Sequence, residues 1–342
     1  MIMNTMHVRN PQSGKLEVKE FSGADAQLAL LRGPDTIARN VVQGMVNQKL
    51  VGDSLFTPVK VQKRSGQFQV FGEEAFVIPT NIKRSIGEKI QRIQVQDGFI
   101  PLSLSEYSLA CQVENSERNE YAGTPDQLVN GRLLRVAAKL ALYREKTQSI
   151  LATTYTGYAS GLGLSGAALN WATSGEPITN MLDLLDLVQI QVGMRPNKVW
   201  FSPAAWRLVC RNASVLGTIQ GGATRVIPAM VKKELIAMLL EVDEVIVPTA
   251  IYGTGSDGGH KKTTLTKGYL WEAVGNACAG VMVVGTGTGI EPAFGYTWEL
   301  EANPVIESYY ENQTKSQVWD NQNFYDPAIT LNRAGAMYYN LA

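Results

Sequence analysis

A chain of 342 residues with 45% hydrophobic and 18% charged side chains is globular and long enough for two or three packed lobes. Its 31 basic residues balance its 31 acidic ones, which argues against a protein whose main work is gripping nucleic acid, because phosphate neutralisation leaves a basic excess. Cys111, Cys210 and Cys278 are widely spaced, with no CxxC and no Cys/His cluster, so free thiols are expected rather than a disulfide framework or a zinc site. The first ten residues lack a basic region followed by an apolar run, and no stretch approaches the roughly 18 apolar residues that span a bilayer. A soluble protein made in a cytoplasm is the expectation.

Residues 1–50 suggest a loosely structured arm followed by a short helix. Gly33-Pro34 precedes Asp35-Thr36-Ile37, and Ile37, Val41, Val42 and Met45 recur at helical spacing. An arm with few core residues needs a partner surface to be ordered. Short β-type runs follow at 58–61, 67–71 and 91–95, with Ser65-Gly66 as a turn between the first two. Val59 and Val61 alternating against Phe68 and Val70 predict a two-stranded ribbon with one apolar face. Charge is sorted along this extension. Lys60, Lys63, Arg64, Lys83, Arg84, Lys89 and Arg92 outweigh three acids over 60–92, whereas Asp97, Glu106, Glu114, Glu117 and Glu120 face only Arg118 over 93–120. A long extension of split polarity makes a poor domain by itself and a good strap across a neighbouring subunit.

Thr124-Pro125-Asp126-Gln127 combines an N-cap threonine, proline at the first helical position and glutamine three residues after the cap. Leu128, Leu134, Ala138, Ala141 and Leu142 are assigned the apolar stripe of a helix running to about Ala152, which at 1.5 Å per residue is roughly 40 Å long. Residues 155–177 are small and Gly/Ser-rich, and predict a long surface loop. Met181, Leu184, Leu185, Val188 and Val192 then mark a helix closed by Gly193. A buried strand at 199–201 meets Ser202-Pro203 and a helix over 204–211. Another helix near 229–240, a strand at 244–247, and apolar runs at 269–274 and 280–284 complete a small mixed lobe. Residues 291–342 alternate apolar and polar positions, predict an antiparallel meander, and hold seven acids against Lys315 and Arg333.

Chemistry is sparse. His7 and His260 have no neighbouring Cys or second His in sequence, so neither a hydrolase triad nor a His-based metal site is expected. Gly285-Thr286-Gly287-Thr288-Gly289 suggests a phosphate loop, yet Ile290-Glu291-Pro292 follows where Gly-Lys-Ser/Thr is needed. A hinge between the mixed lobe and the C-terminal strands is the preferred reading. The tract 253–262, with Lys261 and Lys262, is expected to be a mobile loop. No catalytic, cofactor or metal residue is assigned.

The order of parts resembles the major capsid proteins of tailed bacteriophages, the Hong Kong 97 type. The residues that carry this likeness are Arg195-Pro196-Asn197-Lys198-Val199-Trp200-Phe201-Ser202-Pro203-Ala204-Ala205-Trp206, Phe294-Gly295-Tyr296-Thr297-Trp298, the strand at 305–310, and the closing Ala334-Gly335-Ala336-Met337-Tyr338. The resemblance implies an α+β fold with an N-terminal arm and short helix (1–50), an extended loop or E-loop (51–120), a peripheral-domain spine helix and loop (121–177), an axial domain (178–290), and return strands with a final axial strand (291–342). It also implies a shell of hexamers and pentamers without cofactors, located in the virion and assembled in the host cytoplasm. Portal, scaffold and decoration proteins and weakly held double-stranded DNA are the implied partners, with no membrane. Lys60, Lys63, Arg64, Phe68, Lys83, Arg84, Glu106, Glu114 and Glu117 are expected at intersubunit contacts through the extended loop. The alternatives are a cellular nanocompartment shell of the same fold, or a nucleotide-binding enzyme using the 285–289 turn.

Overall fold

The computed structural model describes residues 5–9, 16–20, 33–34, 50–70, 83, 98–220, 231–254, 266–272, 276–289 and 291–341. A hairpin pairs β1 (Thr5–Arg9) with β2 (Leu16–Glu20). The expected helix at 37–45 lies outside the described residues. After the two-residue β3 (Gly33–Pro34) come the one-turn helix α1 (Gly52–Leu55) and β4 (Thr57–Val61). Then follow β5 (Ser65–Val70), β6 (Gly98–Ser103), β7 (Ser105–Glu114), α2 (Asn115–Glu120) and the long α3 (Pro125–Thr153). Next are β8 (Gly163–Ser165), α4 (Pro177–Val192), β9 (Lys198–Phe201), α5 (Pro203–Arg211), α6 (Ala213–Gln220) and α7 (Lys233–Leu240). The chain continues through β10 (Glu244–Ile246), β11 (Ile251–Thr254), β12 (Thr266–Tyr269) and β13 (Ala277–Met282). It closes with β14 (Gly295–Leu300), β15 (Val305–Glu311), β16 (Ser316–Ile329) and β17 (Gly335–Leu341).

Two compact units result, and neither is continuous in sequence. The smaller takes Met1–Val46, Tyr107–Leu140 and Ala302–Asn323. In it β15 pairs antiparallel with the first half of β16, from Val305↔Gln322 to Glu311↔Ser316, and with β3 on its other edge. Val129, Leu133, Val136 and Leu140 of α3 pack with Cys111, Val113, Ile306 and Trp319. The sequence pattern puts the stripe on Leu128, Leu134, Ala138, Ala141 and Leu142, none of which is fully buried. Two apolar registers compete along this helix, and packing against β7, β15 and β16 selects 129, 133, 136 and 140, the i, i+4, i+7, i+11 set.

The larger unit takes Asn47–Glu106, Ala141–Glu301 and Phe324–Ala342. Its main sheet has the order β10-β9-β13-β17-β8, parallel at both edges and antiparallel in the middle. Every residue of β13 is buried. Its small side chains make room for cover on both faces, and at Gly280 a Cβ would meet Trp200 Nε1 at 2.7 Å and the Ala336 carbonyl at 2.9 Å. Ser202 caps α5 by accepting the Ala205 amide at 3.2 Å, and it also accepts the Cys278 amide at 3.0 Å, which ties helix to sheet. Gly193 ends α4 with φ 71°. A second layer joins the last residues of β16 to β14 antiparallel, and β14 to β4 parallel.

Three expectations are corrected here. β4 does not pair with β5: β4 lies beside β14, and β5 forms its hairpin with β6, from Ser65↔Ser103 to Val70↔Gly98. The run at 91–95 lies outside the described residues. The C-terminal strands are not a simple meander, because β16 pairs with both β15 and β14, and β17 leaves for the other sheet. Nor is 155–177 a surface loop. Tyr158, Leu162 and Trp171 are 5%, 3% and 0% exposed, and β8 extends the main sheet. Trp171 donates to Asn180 Oδ1 at 2.9 Å, while Asn212 donates to the carbonyls of Trp171 and Gly175 at 2.8 and 2.9 Å. The small residues let the chain turn tightly around these anchors. At Gly175 a Cβ would overlap the backbone of Leu169 and Asn170.

Candidate functional site

The extended segment starts from β4 and β5, and this root is firmly built. Phe68 stacks on Trp298 with ring centroids 3.6 Å apart, and the Arg64 guanidinium lies 3.9 Å from the centre of the Phe324 ring. The Leu104 amide donates to the Arg64 carbonyl at 2.8 Å, and Leu102 and Leu104 are buried. Two of the expected intersubunit residues, Arg64 and Phe68, are thus engaged within their own chain. Glu117 is a third, forming an ion pair with Arg132 of α3. Lys60, Lys63, Lys83, Glu106 and Glu114 are exposed. Arg84 lies outside the described residues.

Behind the root is a polar cluster that hydrophobic patterning misses. Glu145 of α3 is 2% exposed. It accepts the amides of Val51 and Gly52 at 3.1 and 2.7 Å and the Trp271 indole N–H at 2.7 Å. Burial pushes its carboxyl up from the ordinary carboxylate range, and the three donors pull it back. Arg144 beside it reaches Asp53 at 2.9 Å and Glu299 at 2.7 Å, and Gln148 donates to Asp53 and Thr297 at 2.7 and 2.8 Å. At Gly52 a Cβ would collide with the Gln148 side chain. The arrangement clamps α1, the start of β4 and β14 onto α3. Glu145, Gln148, Ser149 and Ala152 are all buried, and their i, i+3, i+4, i+7 spacing makes a second stripe on the helix. At 3.6 residues per turn this mostly polar stripe is rotated by more than a quarter-turn from the apolar one at 129, 133, 136 and 140.

The 285–289 turn is a closed structural bend. Gly287 and Gly289 have φ values of 95° and 73°. The Thr286 amide and hydroxyl donate to the Glu291 carboxylate at 2.6 and 2.7 Å, and Thr57 donates to the Gly285 carbonyl at 3.0 Å. The Thr286 hydroxyl and amide hold the Glu291 carboxyl below the usual carboxylate range. A carboxylate seated on the turn's own donor repels phosphate and competes for that donor. Among the described residues no group of three or more His, Cys, Asp or Glu side chains is placed to hold a metal ion, and no helix is long and apolar enough to cross a membrane. Cys111 and Cys278 are buried and Cys210 is half-buried. Burial raises the Cys111 thiol to about 11. His260 and most of the tract 253–262 lie outside the described residues.

No family model matches the sequence. The major capsid protein of Burkholderia phage BcepMu is 25% identical over 293 residues, which is 84% of this chain and 90% of that protein. A phage-related protein from Bordetella bronchiseptica RB50 has a similar structure, with a TM-score of 0.70 at 20% identity, covering 91% of this chain and 98% of the other. The capsid of cyanophage P-SCSP1u gives a TM-score of 0.56 at 11% identity, over 86% and 90% of the two chains. The α+β fold of phage capsid shells is therefore the fold of this chain.

Proposed function

We infer that the chain is a major capsid protein of the tailed-phage type, a structural protein that assembles with copies of itself into the shell of the virion. The observation that carries this reading is the span of the likeness to the BcepMu capsid protein, which runs through 84% of the chain rather than one lobe. The mixed lobe, the long helix and the returning strands therefore enter the comparison together. The finer organisation belongs to the same reading. Hexamers and pentamers form the shell, portal and scaffold proteins join during assembly in the host cytoplasm, and double-stranded DNA is held inside by weak, non-specific contacts.

Assembly works through many small contacts. The β5–β6 hairpin is fixed at its root, and the exposed charges Lys60, Lys63, Lys83, Glu106 and Glu114 are offered to a neighbour, with Arg84 on the same segment. Exposed opposite-sign pairs and cross-strand contacts contribute about 0.2–1 kcal/mol each. Summed over several neighbours they close a shell, yet each is weak enough to break and re-form during error correction.

A deletion that respects the root tests this. Val70 and Gly98 are register partners, so replacing residues 71–97 with Asn-Gly closes β5 and β6 by a two-residue turn and keeps the Phe68–Trp298 stack. The variant is expected to be folded by circular dichroism and to form no closed particles by electron microscopy. Normal shells from this variant would show that the extension is not an assembly element.

A further inference from the structure

The larger unit exposes an apolar face that its own fold does not use. On α4, Ile190 is 79% exposed and Leu187 38%; on α7, Met238 is 74% exposed and Leu235 38%. Met194 just beyond α4 and Leu239 on α7 are also exposed. The two helices pack against one another, and each has already buried its other side: Met181, Leu184, Leu185, Val188 and Val192 on α4, and Ile236 and Leu240 on α7. Single exposed apolar residues need no explanation, but a cluster on two adjoining helices marks a contact surface.

Charge identifies what covers it. On α4 the exposed stripe continues into Asp183 and Asp186, and this helix carries no basic residue. At the start of α7, Lys232 and Lys233 are exposed beside the single acid Glu234. Glu241 at the far end of α7 is engaged by Arg195 at 3.6 Å. An α4-to-α4 contact between copies would set aspartates against aspartates, and an α7-to-α7 contact lysines against lysines. A contact in which α4 of one copy meets α7 of the next matches apolar to apolar and acid to base.

We propose that this face is a contact between copies of the chain, with the α4 stripe of one subunit seated on the α7 stripe of its neighbour. The proposal rests on the shell reading and adds to it a surface through which copies of the chain meet.

Disulfide trapping between separately made chains tests it. Full-length Ile190→Cys and Met238→Cys proteins are mixed before assembly and oxidised, with the unsubstituted chain as the baseline for Cys111, Cys210 and Cys278. The expected result is a crosslinked dimer in the mixture and in neither protein alone. Crosslinks within the Ile190→Cys protein alone, or none in any sample, would overturn the α4-to-α7 contact. In parallel, Ile190→Asp should melt like the unsubstituted chain, because the position is exposed. It should also raise the concentration needed for particle formation more than about tenfold. An unchanged assembly threshold would overturn the proposal. If the unsubstituted chain forms particles while these tests fail, the contact falls and the shell reading stands. If it forms none, alone or co-expressed with the scaffold protein of its own phage, the shell reading itself has failed.

Discussion

Replacing Glu145 by Ala removes the acceptor shared by three N–H groups. The Val51 and Gly52 amides lie 3.1 and 2.7 Å from its oxygens and the Trp271 indole N–H lies at 2.7 Å. Each buried donor left without a partner costs about 1–3 kcal/mol. Water entering the gap recovers part of this at Val51, which is only half-buried. Removing the carboxylate also relieves the desolvation that raises its pKa, so the net loss expected is about 3 kcal/mol. Urea unfolding followed by tryptophan fluorescence reads the global change, and hydrogen exchange at the Val51 and Gly52 amides reads the local one. Protection at those amides should fall by a factor on the order of 100. A loss below about 1 kcal/mol with both amides still protected would refute the reasoning. Glu145→Gln separates charge from shape, since it keeps one acceptor oxygen but turns an NH2 towards donors, and its cost should be intermediate. The pH dependence has a definite sign. A carboxyl raised in the folded state contributes stability below its unfolded value, and that contribution is lost as pH rises through the folded value. The Glu145→Gln variant lacks this titration, so the stability gap between it and the unsubstituted chain widens on acidification.

Gly289→Ala should cost about 1–3 kcal/mol in thermal or urea unfolding, since its φ is 73° and a Cβ would lie 2.8 Å from the Trp298 ring; a neutral substitution would contradict the closed-bend description. Cys111, with its thiol raised to about 11, should be alkylated at pH 8 on the order of 100-fold more slowly than an ordinary free thiol. Mass-spectrometric labelling checks this, and a Cys111 that reacts as fast as half-buried Cys210 would refute its burial. Trp171→Ala should destabilise the larger unit by about 3–5 kcal/mol, whereas a cost under about 0.5 kcal/mol would mean that 155–177 is the surface loop its composition suggests.

Local chemistry was legible where one residue type had one physical use. Thr124-Pro125 started the long helix, Ser202-Pro203 started α5, and Gly193 ended α4, because caps depend on neighbours within a turn. The turn at 285–289 could be separated from a phosphate loop by the residues that follow it, and Glu291 supplies the physical reason. Strand partners were not legible. The alternation at 59 and 61 says only that one side of β4 is apolar, and it fits β5 as well as the actual partner β14.

What the sequence by itself determined is the class of fold: a neutral α+β chain with a charged extension and a long capped helix, its parts in an order that resembles a phage capsid subunit. The tertiary structure decided how that extension is held and which sides of the helix are buried. Val129, Leu133, Val136 and Leu140 are buried as hydrophobicity requires. Glu145, Gln148 and Ser149 form their own stripe further along and are buried too. By composition these polar residues belong in water. Only the convergence of donors from distant positions 51, 52 and 271 makes the burial of Glu145 tolerable, and no local pattern around position 145 carries that information.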